Sequence, residues 1–459
     1  MGSLFIQPFS IRILDATEWG KVGLATVILQ VGQVILSAGL PLAITKAYYT
    51  PVSGHLHARA IAGANYIVSL LIAIIAAIAL AGSLTPDSGG YGFVWAILAV
   101  GLLSTVVGAQ AVLRAQERPL AFILLSGGAS LGSHLLGLSA ILVFGHSASI
   151  YLAAFAIGML ATASVGFWLT RPAWPSAAWK QVKIAFRLGL PVMPHSLAII
   201  LLMQGDSFLL QVNQGNESVG RYVAAAAFAL GPFAVLAGLN NVWMARIMQA
   251  SQGRNFQEVV SSVAKEGAWI SCIVAVAASS AATLGIHILK GDDNTVMQLA
   301  KVLPLATVGY ALYLVCMSVL FAMHKTGSFA IASPLLAVIA GFAALYPART
   351  NDLVLLGLVK GLAFVGLGLI FLWLVRRANG PRVQTKFFMA ALVTSGTATG
   401  LLFLLPDSLL VGVATVVIAG LIAALFGAIY MKRNKRMTAF PGGTPTPSNF
   451  STSNRKQGK

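Results

Sequence analysis

GKVGLATVILQVGQVILSAGLPLAITK, residues 20–46, and GRYVAAAAFALGPFAVLAGLNNVWMAR, residues 220–246, stand 200 positions apart and can be read in one register. Gly20, Ala25 and Leu36 meet Gly220, Ala225 and Leu236, while the basic residues Lys21 and Lys46 meet Arg221 and Arg246. Each stretch is apolar and long enough to cross the hydrocarbon core as a helix, which takes about 20 residues. The two copies lie an even number of spans apart and therefore run in the same direction. Parallel repeats related by an axis along the membrane normal have this arrangement.

The same reading extends over the whole chain. Of 459 residues, 58% are hydrophobic and 9% charged, against about 25% charged in ordinary soluble domains, which excludes a soluble enzyme. Apolar windows predict spans at 22–44, 62–82, 92–113, 120–144, 150–170, 188–212, 219–245, 267–289, 299–323, 327–347, 353–375, 387–405 and 409–431, preceded by a half span from Gly2 to Leu14. The expected fold class is an all-α polytopic membrane protein. Two six-helix bundles are related by the parallel repeat and followed by two C-terminal helices. Residues 1–170 form the first bundle, 171–187 an amphipathic cytoplasmic linker, 188–376 the second bundle, and 387–431 the last two helices. The tail, 432–459, is basic and then rich in Pro, Gly, Ser, Thr and Asn, a disordered composition. Shifting the span from Gly189 by 200 residues carries it past Met1, so the first helix is expected to be incomplete.

Charge sets the expected orientation. A net charge of +18 would point to nucleic acid in a soluble chain, but here topology accounts for it and no nucleic-acid partner is expected. With the end of the first full span placed inside, sixteen basic residues fall on inner loops and seven on the tail, against six outside: Arg12, Lys21, Arg221, Lys290, Lys301 and Arg349. The linker carries Trp179, Val182 and Phe186 on one helical side and Lys180, Lys183 and Arg187 on the other, a pattern for a helix in the headgroup plane. The tail is expected to meet anionic lipids.

Few side chains offer chemistry. Charges within lipid-spanning helices usually face protein or water. Asp206 lies within the span 188–212 and Lys360 within 353–375, while Lys21 and Arg221 begin the repeated spans and Lys46 and Arg246 end them. These six are the candidate substrate-binding positions, and for the terminal ones headgroup anchoring is an equal reading. Lys46 and Arg246 are expected to form a paired basic clamp at the inner mouth of a cavity, since neither has an acidic neighbour in sequence. Pro41, Pro191, Pro194, Pro232, Pro304 and Pro334 fall within spans, where they loosen helices. Gln30, Gln33, Gln110, Gln204, Asn240 and Asn241 suit either hydrated ligands or interhelical hydrogen bonds. His55 and His57 lack a carboxylate neighbour, and Cys272 and Cys316 lie in apolar runs, so neither a metal site nor a disulfide framework is expected. No phosphate-cradling Gly-rich motif, His-Glu-x-x-His pattern or long outer loop with catalytic acids occurs. No cofactor and no catalytic activity are expected.

Glu18-Trp19-Gly20 opening a span that reaches Gly39-Leu40-Pro41, Gly189-Leu190-Pro191 opening the second bundle with Asp206 beyond it, and Gly220-Arg221-Tyr222 before an Ala-rich span together resemble the polysaccharide flippases of the Wzx type. These belong to the exporter superfamily that includes multidrug extruders and lipid II flippases. The resemblance runs from about Leu4 to Arg433, with two departures: the incomplete first helix, and Ser207 where the family often has a basic residue. It implies translocation of an undecaprenyl-pyrophosphate-linked oligosaccharide across a bacterial inner membrane, with polysaccharide polymerase and export proteins as partners. A multidrug extruder is the alternative within the superfamily, and a membrane glycosyltransferase or polymerase the alternative outside it.

Overall fold

In hydrocarbon every backbone N–H and C=O must be satisfied within the protein, which favours helices throughout. The computed structural model describes residues 2–50, 52–84, 90–251, 253–290, 293–323, 325, 327–405 and 410–421. It opens with α1 (Gly2–Ile13) and α2 (Ala16–Ser37). Asp15 caps α2, its carboxylate accepting the Glu18 N–H at 2.7 Å. The predicted span 22–44 is not one helix. It breaks at Ala38 and Gly39, whose φ values are 45° and 70°, and resumes as α3 (Leu40–Tyr48). A β-carbon on Gly39 would lie 2.5 Å from the Gly189 carbonyl, and one on Gly189 would strike the Ala38 carbonyl, so the break is where two backbones cross.

Next come α4 (Gly54–Ser83), α5 (Tyr91–Ala115), α6 (Pro119–Gly127), α7 (Ser133–Phe144) and α8 (Ala148–Thr170). A wide turn at Gly128–Gly132 joins α6 to α7 within one apolar span, Pro119–Phe144. The linker forms α9 (Trp179–Gly189). Its Val182 and Ala185 are buried among Leu40, Ile44 and Ile61 of α3 and α4, and the three expected basic residues are exposed. Trp179, expected on the apolar side, is exposed instead, with Lys183 Nζ 5.5 Å above its ring. Residues 188–212 are likewise not one helix: α10 (Met193–Gln204) stops at Gly205 and α11 (Asp206–Gln214) follows.

The remaining helices are α12 (Asn216–Ala250), α13 (Phe256–Lys290), α14 (Asn294–Val302), α15 (Ala306–Ala322), α16 (Phe329–Thr350), α17 (Leu353–Arg377) and α18 (Thr385–Leu404), with a short apolar helix at Leu410–Leu421. Helices α14 and α15 make up one span, Asn294–Ala322, and nine-tenths of its most apolar 18-residue window is buried. Among the described residues, eleven helices are long and apolar enough to cross a membrane, or twelve with the bent pair Pro175–Gly189 and Met193–Gln204. The chain is thus an all-α, multi-pass membrane protein. The expected span 409–431 runs partly, and the tail 432–459 wholly, outside the described residues.

Helices α2 and α12, which carry the repeat, pack directly against each other. Their contact is reciprocal under the 200-residue shift. A β-carbon on Gly20 would strike the Asn216 carbonyl, and one on Gly220 would strike the Ala16 carbonyl. One turn further along, a β-carbon on Gly23 would lie 2.7 Å from the Val223 side chain. Only glycine at both copies lets the two backbones meet.

Candidate functional site

Beyond this glycine contact a cavity opens between α2 and α12. Trp19, Gly23 and Thr26 line it from α2, and Tyr222, Ala226 and Phe233 from α12. Met203, Gln204, Ser207 and Lys360 complete the wall. The break at Gly205 makes Asp206 the first residue of α11, where the positive end of the helix dipole favours a carboxylate. Lys360 Nζ, from α17, stands 2.8 Å from Asp206 Oδ2. The same oxygen accepts the Tyr222 hydroxyl at 2.5 Å. Lys360 also donates to the Met203 carbonyl at 2.5 Å, one of the acceptors left open at the end of α10, and lies 5.2 Å above the Tyr222 ring. The Lys360 side chain is 5% exposed and that of Asp206 13%, so each charge is answered by protein rather than by water.

The two intramembrane charges of the sequence thus converge on one site. The other four candidates stand apart from it. Lys21 pairs with Glu18 at 2.5 Å, and Glu18 also accepts the Ala148 N–H at 2.6 Å at the start of α8. Arg221 lies 3.2 Å from Glu217 and 3.6 Å from Asp293, which accepts the Val296 N–H at the start of α14. Each outer basic residue is therefore tied to a carboxylate that caps another helix. Lys46 is exposed and makes no ion pair among the described residues. Arg246 departs from the expectation that no acid neutralises it. Glu266 of α13 lies 2.8 Å from its guanidinium and also accepts Trp243 Nε1–H at 3.1 Å.

Sequence reasoning missed two features here. Tyr222 completes the Asp206 site, and its signal was only its place beside Arg221. Lys301, read as an outer-loop residue, is buried: its Nζ donates to the Leu402 carbonyl at 3.2 Å and faces the Phe403 ring. His195 joins Ser333 at 2.8 Å and Tyr313 at 3.1 Å within an aromatic cluster. His134 joins Tyr151 at 2.7 Å. No group of three or more metal-ligating side chains occurs among the described residues.

The many-span fold with broken helices is shared with solved multidrug exporters and a lipid flippase. The lipid II flippase MurJ in an inward closed conformation superposes with a TM-score of 0.68 at 13% identity, covering 94% of this chain and 97% of that one. An inward-facing multidrug resistance MATE transporter of the MOP superfamily gives 0.64 at 16% identity over 83% and 95%. The outward-facing conformation of a MATE family transporter gives 0.53 at 16% over 82% and 95%. The family model for polysaccharide biosynthesis proteins matches residues 4–251, more than half the chain, and the protein belongs to that family. No curated protein matches it.

Proposed function

We propose that this protein flips an undecaprenyl-pyrophosphate-linked oligosaccharide from the cytoplasmic to the outer leaflet of a bacterial inner membrane by alternating access. The observation that carries the reading is the Asp206–Lys360–Tyr222 cluster in the cavity between α2 and α12, in a chain of the polysaccharide biosynthesis family. A pyrophosphate cannot shed its water into hydrocarbon without a substitute, and cationic and hydroxyl groups in a closed cleft provide one. Asp206 is already neutralised by Lys360. The pair must part for either charge to meet a cargo, and the family of the chain favours the anionic one.

In the orientation expected from the basic loops, the Gly20–Gly220 contact shuts the outer end and the cavity lies beside it in the outer part of α2 and α12. Residues 1–170 and 188–376 are the two rocking bodies, with 171–187 between them. Lys46 is the open half of the basic clamp at the mouth, and Arg246 takes part by exchanging Glu266 for phosphate. Lys21 and Arg221 hold helix ends at the outer side and reach substrate only when that side opens. Polymerase and export proteins would take up the product.

Transport of lipid-linked oligosaccharide into proteoliposomes tests the reading. A lost charge-assisted contact is worth about 1.5–3 kcal/mol, so Lys360→Gln should slow flipping by about tenfold or more. A Lys46→Gln, Arg246→Gln double variant should slow it at low substrate concentration. Undiminished transport by stably inserted Lys360→Gln would overturn the site, and extrusion of cationic dyes without oligosaccharide transport would overturn the substrate class.

A further inference from the structure

A second polar cleft lies away from the cavity, where α4 begins and α5 and α8 end. It is lined by Arg59, Gln116, Arg118, Trp168, Thr170 and Arg171. We propose that it holds the headgroup of an anionic phosphoglycerol lipid, with the phosphodiester among the three guanidinium groups and a glycerol hydroxyl on Gln116.

Two arginines are fixed there by the end of α8. Arg59 Nε donates to the Arg171 carbonyl at 2.7 Å, and Arg118 donates to the Leu169 carbonyl at 3.4 Å. Each bond uses one N–H of a guanidinium that has five, and the rest meet no described protein partner. Arg171 sits in the left-handed region at φ 44°, which ends α8 and leaves its side chain exposed. No described carboxylate pairs with any of the three arginines, although Glu117 adjoins Arg118 in the chain and is exposed. Three unanswered cations on one cleft call for an anion, and the planar guanidinium fork matches phosphate oxygens.

Gln116 says what else the ligand carries. Its Oε1 is buried and accepts no hydrogen bond. A bare phosphate has nothing to give it, whereas a glycerol hydroxyl does. The surface beside the cleft indicates acyl chains. Ile157, Leu160 and Trp168 follow helical spacing on α8 and are 58%, 54% and 69% exposed, an apolar track ending in a tryptophan at the level of the headgroups. Basic clefts at span ends are suited to acidic lipid headgroups.

The test is native mass spectrometry of the full-length protein in detergent with added dioleoylphosphatidylglycerol, phosphatidylcholine or phosphatidylmethanol. Phosphatidylglycerol should remain bound in preference to phosphatidylcholine, and an Arg59→Gln, Arg118→Gln, Arg171→Gln variant should retain at least tenfold less. Arg171→Gln removes no side-chain bond, so it keeps the test valid if the triple variant misfolds, and it should lower retention severalfold. Gln116→Leu should abolish the preference for phosphatidylglycerol over phosphatidylmethanol, which has no hydroxyl. Equal retention of phosphatidylcholine, or full retention by Arg171→Gln, would overturn the site. Displacement of the lipid by sn-glycerol 3-phosphate alone would show a soluble phosphate ligand and overturn the lipid assignment.

Discussion

Lys360 meets Asp206 inside the bundle, far from it in sequence, and the pair must be judged as a unit. Two desolvated opposite charges roughly balance their own cost, but removing one strands the other, at about 3–5 kcal/mol. Asp206→Asn and Lys360→Gln should each lower the unfolding midpoint in detergent, and the double variant should recover much of the loss. Recovered stability without recovered flipping would separate the pair's contact with substrate from its part in folding. Each charge was legible in the sequence, because an ionised side chain in an apolar run is conspicuous. Their pairing was not, since insertion cost marks a residue without naming its partner. Arg246 fails the same way: its acid, Glu266, sits on the next helix. Lys301 was misplaced because the charge itself looked like a loop, although a carbonyl and an aromatic face satisfy it inside.

At the scale of elements, the apolar runs foretold where spans lie but not where they break. Mean hydropathy is blind to Ala38–Gly39 and Gly205, which leave an apolar stretch apolar while ending its helix. The repeat was visible in three identities and two basic pairs, and its physical meaning emerges at Gly20 and Gly220, where the copies touch. A single methyl group tests it. Gly220→Ala should cost about 1–3 kcal/mol through overpacking, measured as a lower thermal midpoint. Gly238→Ala, on the same helix with nothing near its added carbon, should be neutral or raise stability by up to about 1 kcal/mol. A harmless Gly220→Ala would mean that α2 and α12 do not meet there.

For the whole molecule, the all-α membrane class was readable from composition and the apolar windows, whereas the arrangement of helices needed contacts between distant segments. Orientation is open to direct measurement. A cysteine at exposed Ser176, with the buried Cys272 and Cys316 replaced by serine, should react with an impermeant thiol reagent only in inverted vesicles. Labelling in intact cells would reverse the topology and with it the direction of transport. The glycine contact between α2 and α12 bears on the economy of that movement. In each glycine the hydrogen that replaces a β-carbon points at a carbonyl of the other helix, and such C–H···O contacts are worth only about 0.5–1 kcal/mol each. At Gly20 and Gly220 themselves backbone meets backbone, and the nearest side chain across the seam is Val223 on Gly23 one turn away. In the proposed cycle this contact is the outer gate, a weakly adhesive backbone face that parts and reseals with little resistance.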